Sequence, residues 1–224
     1  DGEWIEGFLD GFCELADQHA VALVGGDTTR GPLSITLAAH GLVPSGQALR
    51  RGGAGINDDI WVTGTLGDAA GALRQWRGGG MQSLKLRHRL DRPTPRIAAG
   101  IALRGLASAA IDISDGLAGD LGHVLARSGV GAELELSRLP TSRTLAEHFA
   151  DQPGRWQLQL SGGDDYELCF TAAAANALAI EQALAACELG ASVVGRIVRE
   201  PGLRLLALDG SPFELIAGSF EHFA

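Results

Sequence analysis

The chain has 224 residues, 46% of them apolar, enough for one large or two small domains with real cores. Its formal charge is −9 and it holds no run of Lys or Arg, which argues against a nonspecific nucleic-acid binder. Neither a signal peptide nor an apolar run long enough to span a bilayer is evident. Three widely spaced cysteines, Cys13, Cys169 and Cys187, form neither a zinc pattern nor a disulfide framework. The expectation is a cytoplasmic protein with no nucleic-acid or membrane partner.

The predicted elements begin with an amphipathic helix over 3–19, where Trp4, Ile5, Phe8, Leu9, Phe12, Leu15 and Ala16 make one apolar stripe. Residues 20–24 and 33–43 read as buried strands. Between them lies Gly25-Gly26-Asp27-Thr28-Thr29-Arg30-Gly31, a polar loop with bared backbone, a carboxylate and a guanidinium. The turn-rich stretch 44–57 contains Arg50 and Arg51 and reads as the boundary between two domains: 1–44, a linker at 45–57, and 58–224. Residues 58–63 open the second domain as a strand. The small residues of 64–71 suit tight helix–sheet packing, without the ending of a P-loop. Helices are expected over 82–90 and 96–108.

Ala110-Ile111-Asp112-Ile113-Ser114-Asp115-Gly116-Leu117 reads as strand, turn and helix start. Alternation puts Asp112 and Ser114 on one face and the isoleucines on the other. Asp115 falls where a helix N-cap belongs. Two acids beside a helix N-terminus suit a divalent metal carrying phosphates, with the free N–H groups meeting phosphate oxygens. The next helix runs to about Ser128 with Leu117, Leu121, Val124 and Leu125 inward and Asp120 outward; His123 is expected outside the chemistry. Strand 132–136 and helix 141–149 follow. Residues 156–160 lead into Ser161-Gly162-Gly163-Asp164-Asp165-Tyr166-Glu167-Leu168 and a buried strand through Thr171. An Ala-rich helix spans 173–188, and 191–198 and 203–208 are the last strands. The elements favour an α+β fold, a mixed sheet with helices on one face.

The glycine-acid loop at 25–31, the motif at 111–116, the motif at 161–168 and the ending Phe220-Glu221-His222-Phe223 occur in this order and closely resemble the bacterial thiamine-monophosphate kinase family. The resemblance covers the whole chain. It implies the two-domain aminoimidazole ribonucleotide synthetase-like fold, ATP as co-substrate, several magnesium ions, thiamine monophosphate as phosphate acceptor, thiamine diphosphate as product, and a homodimer. Gly26 and Asp27 are implied at ATP and one magnesium, Arg51 at an ATP phosphate, Asp112 and Asp115 at magnesium, and Ser114 at ATP. Asp164 is implied at the substrate, where the family usually has Glu, and Phe220 against the substrate rings. The family also carries roughly a hundred residues before the point matching Asp1, within ordinary domain size. Its Gly-Asp-Asp, Ser-Thr-Asp and Asn-Leu-Ser-Asp motifs lie there. The expectation is therefore an incomplete first domain and impaired activity of this chain alone. The alternatives are another ATP-dependent synthetase of the same fold and a non-catalytic nucleotide-binding module.

Overall fold

The computed structural model describes residues 2–79 and 83–216. The chain divides into two compact units, Asp1–Val43 and Pro44–Ala224. In the first, α1 (Gly2–Gln18) carries the expected stripe, and its aromatic residues meet one turn apart. Trp4 stacks on Phe8 with ring centroids 5.7 Å apart, and Phe8 on Phe12 at 6.4 Å. The helix ends in a turn where the Val21 N–H donates to the Ala16 carbonyl at 2.9 Å. Segments 20–24 and 33–43, expected as strands, join no ladder and are exposed throughout. Apolar alternation makes a strand only where a neighbour supplies partners for the backbone, and the described residues offer none here.

The second unit is built on a six-stranded sheet. Its strands are β1 (Asp59–Thr63), β2 (Ala109–Asp112), β3 (Gly131–Glu135), β4 (Leu168–Ala172), β5 (Ala191–Val198) and β6 (Gly202–Leu206). The order is β2-β4-β1-β5-β3-β6, antiparallel except for the parallel pair β3 and β6, so the sheet is mixed as expected. The central strands bury both faces. Ile60, Val62 and Cys169 point to one core with Leu117 and Leu121 of α5 (Leu117–Ser128) and Leu160 of α7 (Gln152–Ser161). Trp61 and Phe170, paired across β1 and β4 and stacked at 5.9 Å, point to the other. There they join Leu103, which follows α4 (Ile97–Ala102), and Ile180 and Leu184 of α8 (Ala177–Ala185). Helices thus cover both faces rather than one, because the near-continuous apolar runs of β1 and β4 leave no face that water can wet. Burial pushes the Cys169 thiol up to about 12, which suits a packing residue rather than a nucleophile.

A smaller cluster of Ala72, Leu86 and Leu145 joins α2 (Asp68–Arg77), α3 (Leu84–Asp91) and α6 (Arg143–His148). Gly71 is required there, since a Cβ would lie 2.8 Å from Leu145 Cδ1. This is the tight packing expected of 64–71. The helix expected over 96–108 stops early, where Gly105 adopts φ 78°. Residues 156–160 belong to α7, which is capped by Asp151 accepting from the Gly154 N–H at 2.8 Å. Part of the stretch expected as a linker is built into this unit. The Arg50 carbonyl accepts from the Ala110 N–H at 2.9 Å, extending the edge of β2, and Ala54 is buried in the core.

Candidate functional site

The two acidic motifs of the second unit form one structure. β2 and β4 run antiparallel, and their pairing continues past the ends of the strands. The Ile113 N–H donates to the Glu167 carbonyl at 2.8 Å, the Tyr166 N–H to the Ile113 carbonyl at 2.9 Å, and the Asp164 N–H to the Ser114 carbonyl at 2.9 Å. This lacing needs Gly163, where a Cβ would lie 2.4 Å from the Ser114 carbonyl oxygen. The alternation expected at 111–114 holds: Ile111 and Ile113 are buried, Asp112 is exposed and Ser114 half-buried. Across from them Asp165 and Glu167 point inward while Asp164 and Tyr166 point outward. Asp164 and Tyr166 both take left-handed backbone, at φ 66° and 50°. The Tyr166 hydroxyl donates to Asp164 Oδ1 at 3.2 Å. Its pKa is raised, by burial first and then by Asp164, Asp112 and Asp115. Asp112, Ser114, Asp115 and Asp164 therefore share one acidic rim.

The inward acids hold the rim in place. Glu167 accepts from the Thr63 hydroxyl at 2.7 Å, from Arg89 Nη2 at 2.9 Å, and from both Nε and Nη2 of Arg96 at 2.8 and 2.5 Å. Gly64 makes room for it. Asp165 accepts the Gly67 N–H on both oxygens, at 3.1 and 2.9 Å. Burial, with smaller contributions from Asp68 and Glu167, overcomes the Gly67 bond and the nearby Arg89 and raises the Asp165 carboxyl to about 8. The folded protein therefore keeps a proton that the unfolded chain releases near 3.8. That contribution to stability is complete below the unfolded value and is lost as pH rises through about 8. Stability of the wild type is expected to fall across this window by up to about 1.4 kcal/mol per pH unit, and Asp165→Asn to flatten the fall. Urea unfolding at several pH values checks it.

Asp120 is a correction. Expected on the exposed side of α5, it is buried, and its Oδ2 accepts the N–H groups of both Ser114 and Asp115 at 3.0 Å. Its position three residues after Leu117 and four before Val124 is the helical signal that points inward. The N-cap is Gly116, at φ 110° and with no side-chain cap, not Asp115. Asp120 thus takes the N–H groups of the two residues that lead into the helix. Desolvation raises the Asp120 carboxyl despite these bonds. Asp120→Ala orphans both donors and is expected to cost about 1–3 kcal/mol in denaturant unfolding, with a loss of activity beyond the loss of folded protein.

Arg51 meets the rim. It lines a cavity of about 320 Å³ together with Leu49, Ile111, Asp112 and Leu168. Gly26 and Asp27 lie in the first unit, and Phe220 lies outside the described residues. Among the described residues no three His, Cys, Asp or Glu side chains converge as a metal cage. The acids of the rim are instead a pair, Asp112 and Asp115, with Asp164 held by Tyr166.

The model of the AIR synthase related protein C-terminal domain matches residues 55–207. A thiamine-monophosphate kinase of Salmonella typhimurium is 43% identical over 231 residues, covering 100% of this chain and 70% of that protein. The crystal structure of thiamine-monophosphate kinase from Stenotrophomonas maltophilia is 46% identical with a TM-score of 0.84, over 95% of this chain and 69% of that one. AaThiL complexed with AMPPCP and TMP superposes with a TM-score of 0.64 at 30% identity, over 78% of this chain and 54% of that one. With its laced acidic loops, its mixed sheet and these matches taken together, the chain belongs to the thiamine-monophosphate kinase family.

Proposed function

We propose that this chain transfers the γ-phosphate of ATP to thiamine monophosphate, giving thiamine diphosphate. The observation that carries the reading is the rim itself: Asp112, Ser114 and Asp115 on one strand end, Asp164 on the other, with Arg51 lining a cavity together with Asp112. The acceptor is a phosphate oxygen, already ionised near neutral pH, so the reaction needs neither a general base nor a nucleophilic side chain. It needs positioning and the offsetting of negative charge.

The donor set fits magnesium. Asp112 and Asp115 offer hard carboxylate oxygens, and an ion of this kind is commonly bound by one or two carboxylates with phosphates and water completing its octahedron. In the first unit, Asp27 and Gly26 are the residues assigned to a magnesium ion and to the nucleotide. The ion, when bound, offsets repulsion between the two phosphate chains. Arg51 holds a phosphate of ATP by charge-assisted hydrogen bonds, and Ser114 orients the nucleotide. Asp164, with the phenol of Tyr166 beside it, offers an acid and an aromatic ring to the cationic thiazolium, and Phe220 is the second aromatic residue assigned to that side.

The protein is further assigned to the cytoplasm; among the described residues no helix is long and apolar enough to cross a membrane. A homodimer is supported by the large apolar side chains exposed on α1, among them Trp4, Leu9 and Leu15. Sedimentation at micromolar concentration is expected to show a dimer, and a monodisperse monomer would contradict this. The reading of function is tested by chromatography after incubation with magnesium, ATP and thiamine monophosphate. Thiamine diphosphate above the protein-free control is expected, at the impaired rate anticipated for this chain alone, and its absence counts against the assignment.

A further inference from the structure

Beside the rim lies a groove of opposite sign. A cavity of about 740 Å³ is lined by Arg50, Arg51, Gly52, His123 and Arg127. On a chain of net charge −9 this concentrates three guanidinium groups and an imidazole. Among the described residues none of the four side chains makes an ion pair. The grouping is held by the backbone. Ser128 Oγ, at the end of α5, accepts the N–H groups of Gly53 and Ala54 at 3.1 and 3.2 Å. Gly52 lies so close that a Cβ would sit 3.1 Å from the Arg127 carbonyl oxygen, and Gly53, at φ 135°, would place one 2.5 Å from that of Ser108. Two glycines and a hydroxyl thus fix the backbone that carries Arg50 and Arg51 against the last turn of α5. His123 and Arg127, four residues apart, share one face of that helix. All four side chains are exposed, so water screens their mutual repulsion, and their unpaired positive charge is open to an anionic ligand.

We propose that His123, Arg127 and Arg50 extend the Arg51 site into a groove for the polyphosphate chain of the nucleotide. This rests on the reading of the protein as an ATP-dependent kinase. Arg51 is the joint, since it also lines the cavity that holds Asp112. Charge-assisted hydrogen bonds from a rigid guanidinium fork suit phosphate oxygens. Arg127 is thereby a positioning residue for the donor, not a catalytic one.

The test is calorimetric titration of the full chain with inorganic tripolyphosphate, without magnesium. Wild type is compared with Arg127→Ala, Arg127→Lys and, as a control, Arg143→Ala, whose partner is Glu147 on α6. Binding that weakens with salt is expected in the wild type. Arg127→Ala is expected to weaken it about tenfold, with Arg127→Lys recovering part of the loss and Arg143→Ala without effect. ATP is expected to displace tripolyphosphate. Thermal melts confirm that the variants fold. Equal affinity in wild type and Arg127→Ala, or binding of ATP and tripolyphosphate without competition, overturns the proposal. Intact tripolyphosphate binding in a protein that makes no thiamine diphosphate supports the groove and counts against the kinase reading alone.

Discussion

Asp115→Asn is expected to lower the rate of thiamine diphosphate formation on the order of 100-fold while leaving the thermal melt close to that of the wild type. The carboxylate sits on the outer side of the laced loops, half-buried, on the same rim as Asp112 and Asp164. Its replacement removes a negative charge from the place where a metal-bound phosphate chain is proposed to rest, and leaves the sheet beneath untouched. The magnesium concentration needed for half-maximal rate is expected to rise in the same variant, because a neutral amide is a poorer ligand for a hard cation. Asp112→Asn is expected to act the same way. Wild-type turnover with an unshifted magnesium dependence would remove Asp115 from the site. Asp120→Ala is the contrasting case: it acts on the turn through the Ser114 and Asp115 N–H groups, so its loss is expected in stability first.

The largest effect on stability is expected at Glu167. Its side chain is 1% exposed and is shared by Arg89 and Arg96, themselves 21% and 18% exposed. Glu167→Ala leaves two guanidinium groups facing one another in a site from which water is largely excluded. Breaking a buried pair in this way costs about 3–5 kcal/mol. Thr63 also loses the acceptor of its hydroxyl, while that oxygen still accepts the Leu168 N–H at 2.8 Å. Glu167→Gln keeps an acceptor and fills the space, so it is expected to lose less. Urea midpoints of the two variants beside the wild type decide it; a Glu167→Ala midpoint equal to that of the wild type would show that the arginines find other partners.

Much of the second unit was legible because its pattern is local. Short apolar runs marked β1, closed by Gly64, and β4, which follows the loop at 161–167, and the alternation of Asp112 and Ser114 against two isoleucines placed the acids on the outer face. The same alternation, carried back from buried Cys169, points Glu167 and Asp165 inward, a signal present in the sequence for two acids to which no role was given there. Asp120 was misplaced for a related reason: charge was weighed above helical phase. The pairing of Glu167 with Arg89 and Arg96 leaves no local trace, since the partners lie 78 and 71 residues away. Segments 20–24 and 33–43 show the opposite limit. Their short apolar runs are strand-like, yet a strand exists only through a neighbour, which a single segment cannot reveal.

The most direct measurement follows the transferred phosphate itself. ATP labelled in its γ-phosphate is incubated with the protein, magnesium and thiamine monophosphate, and the products are separated. The account predicts that label leaves ATP only when the acceptor is present and appears in the terminal phosphate of thiamine diphosphate, at a rate that drops in Asp115→Asn. Label found in inorganic phosphate with thiamine monophosphate unconsumed would contradict it.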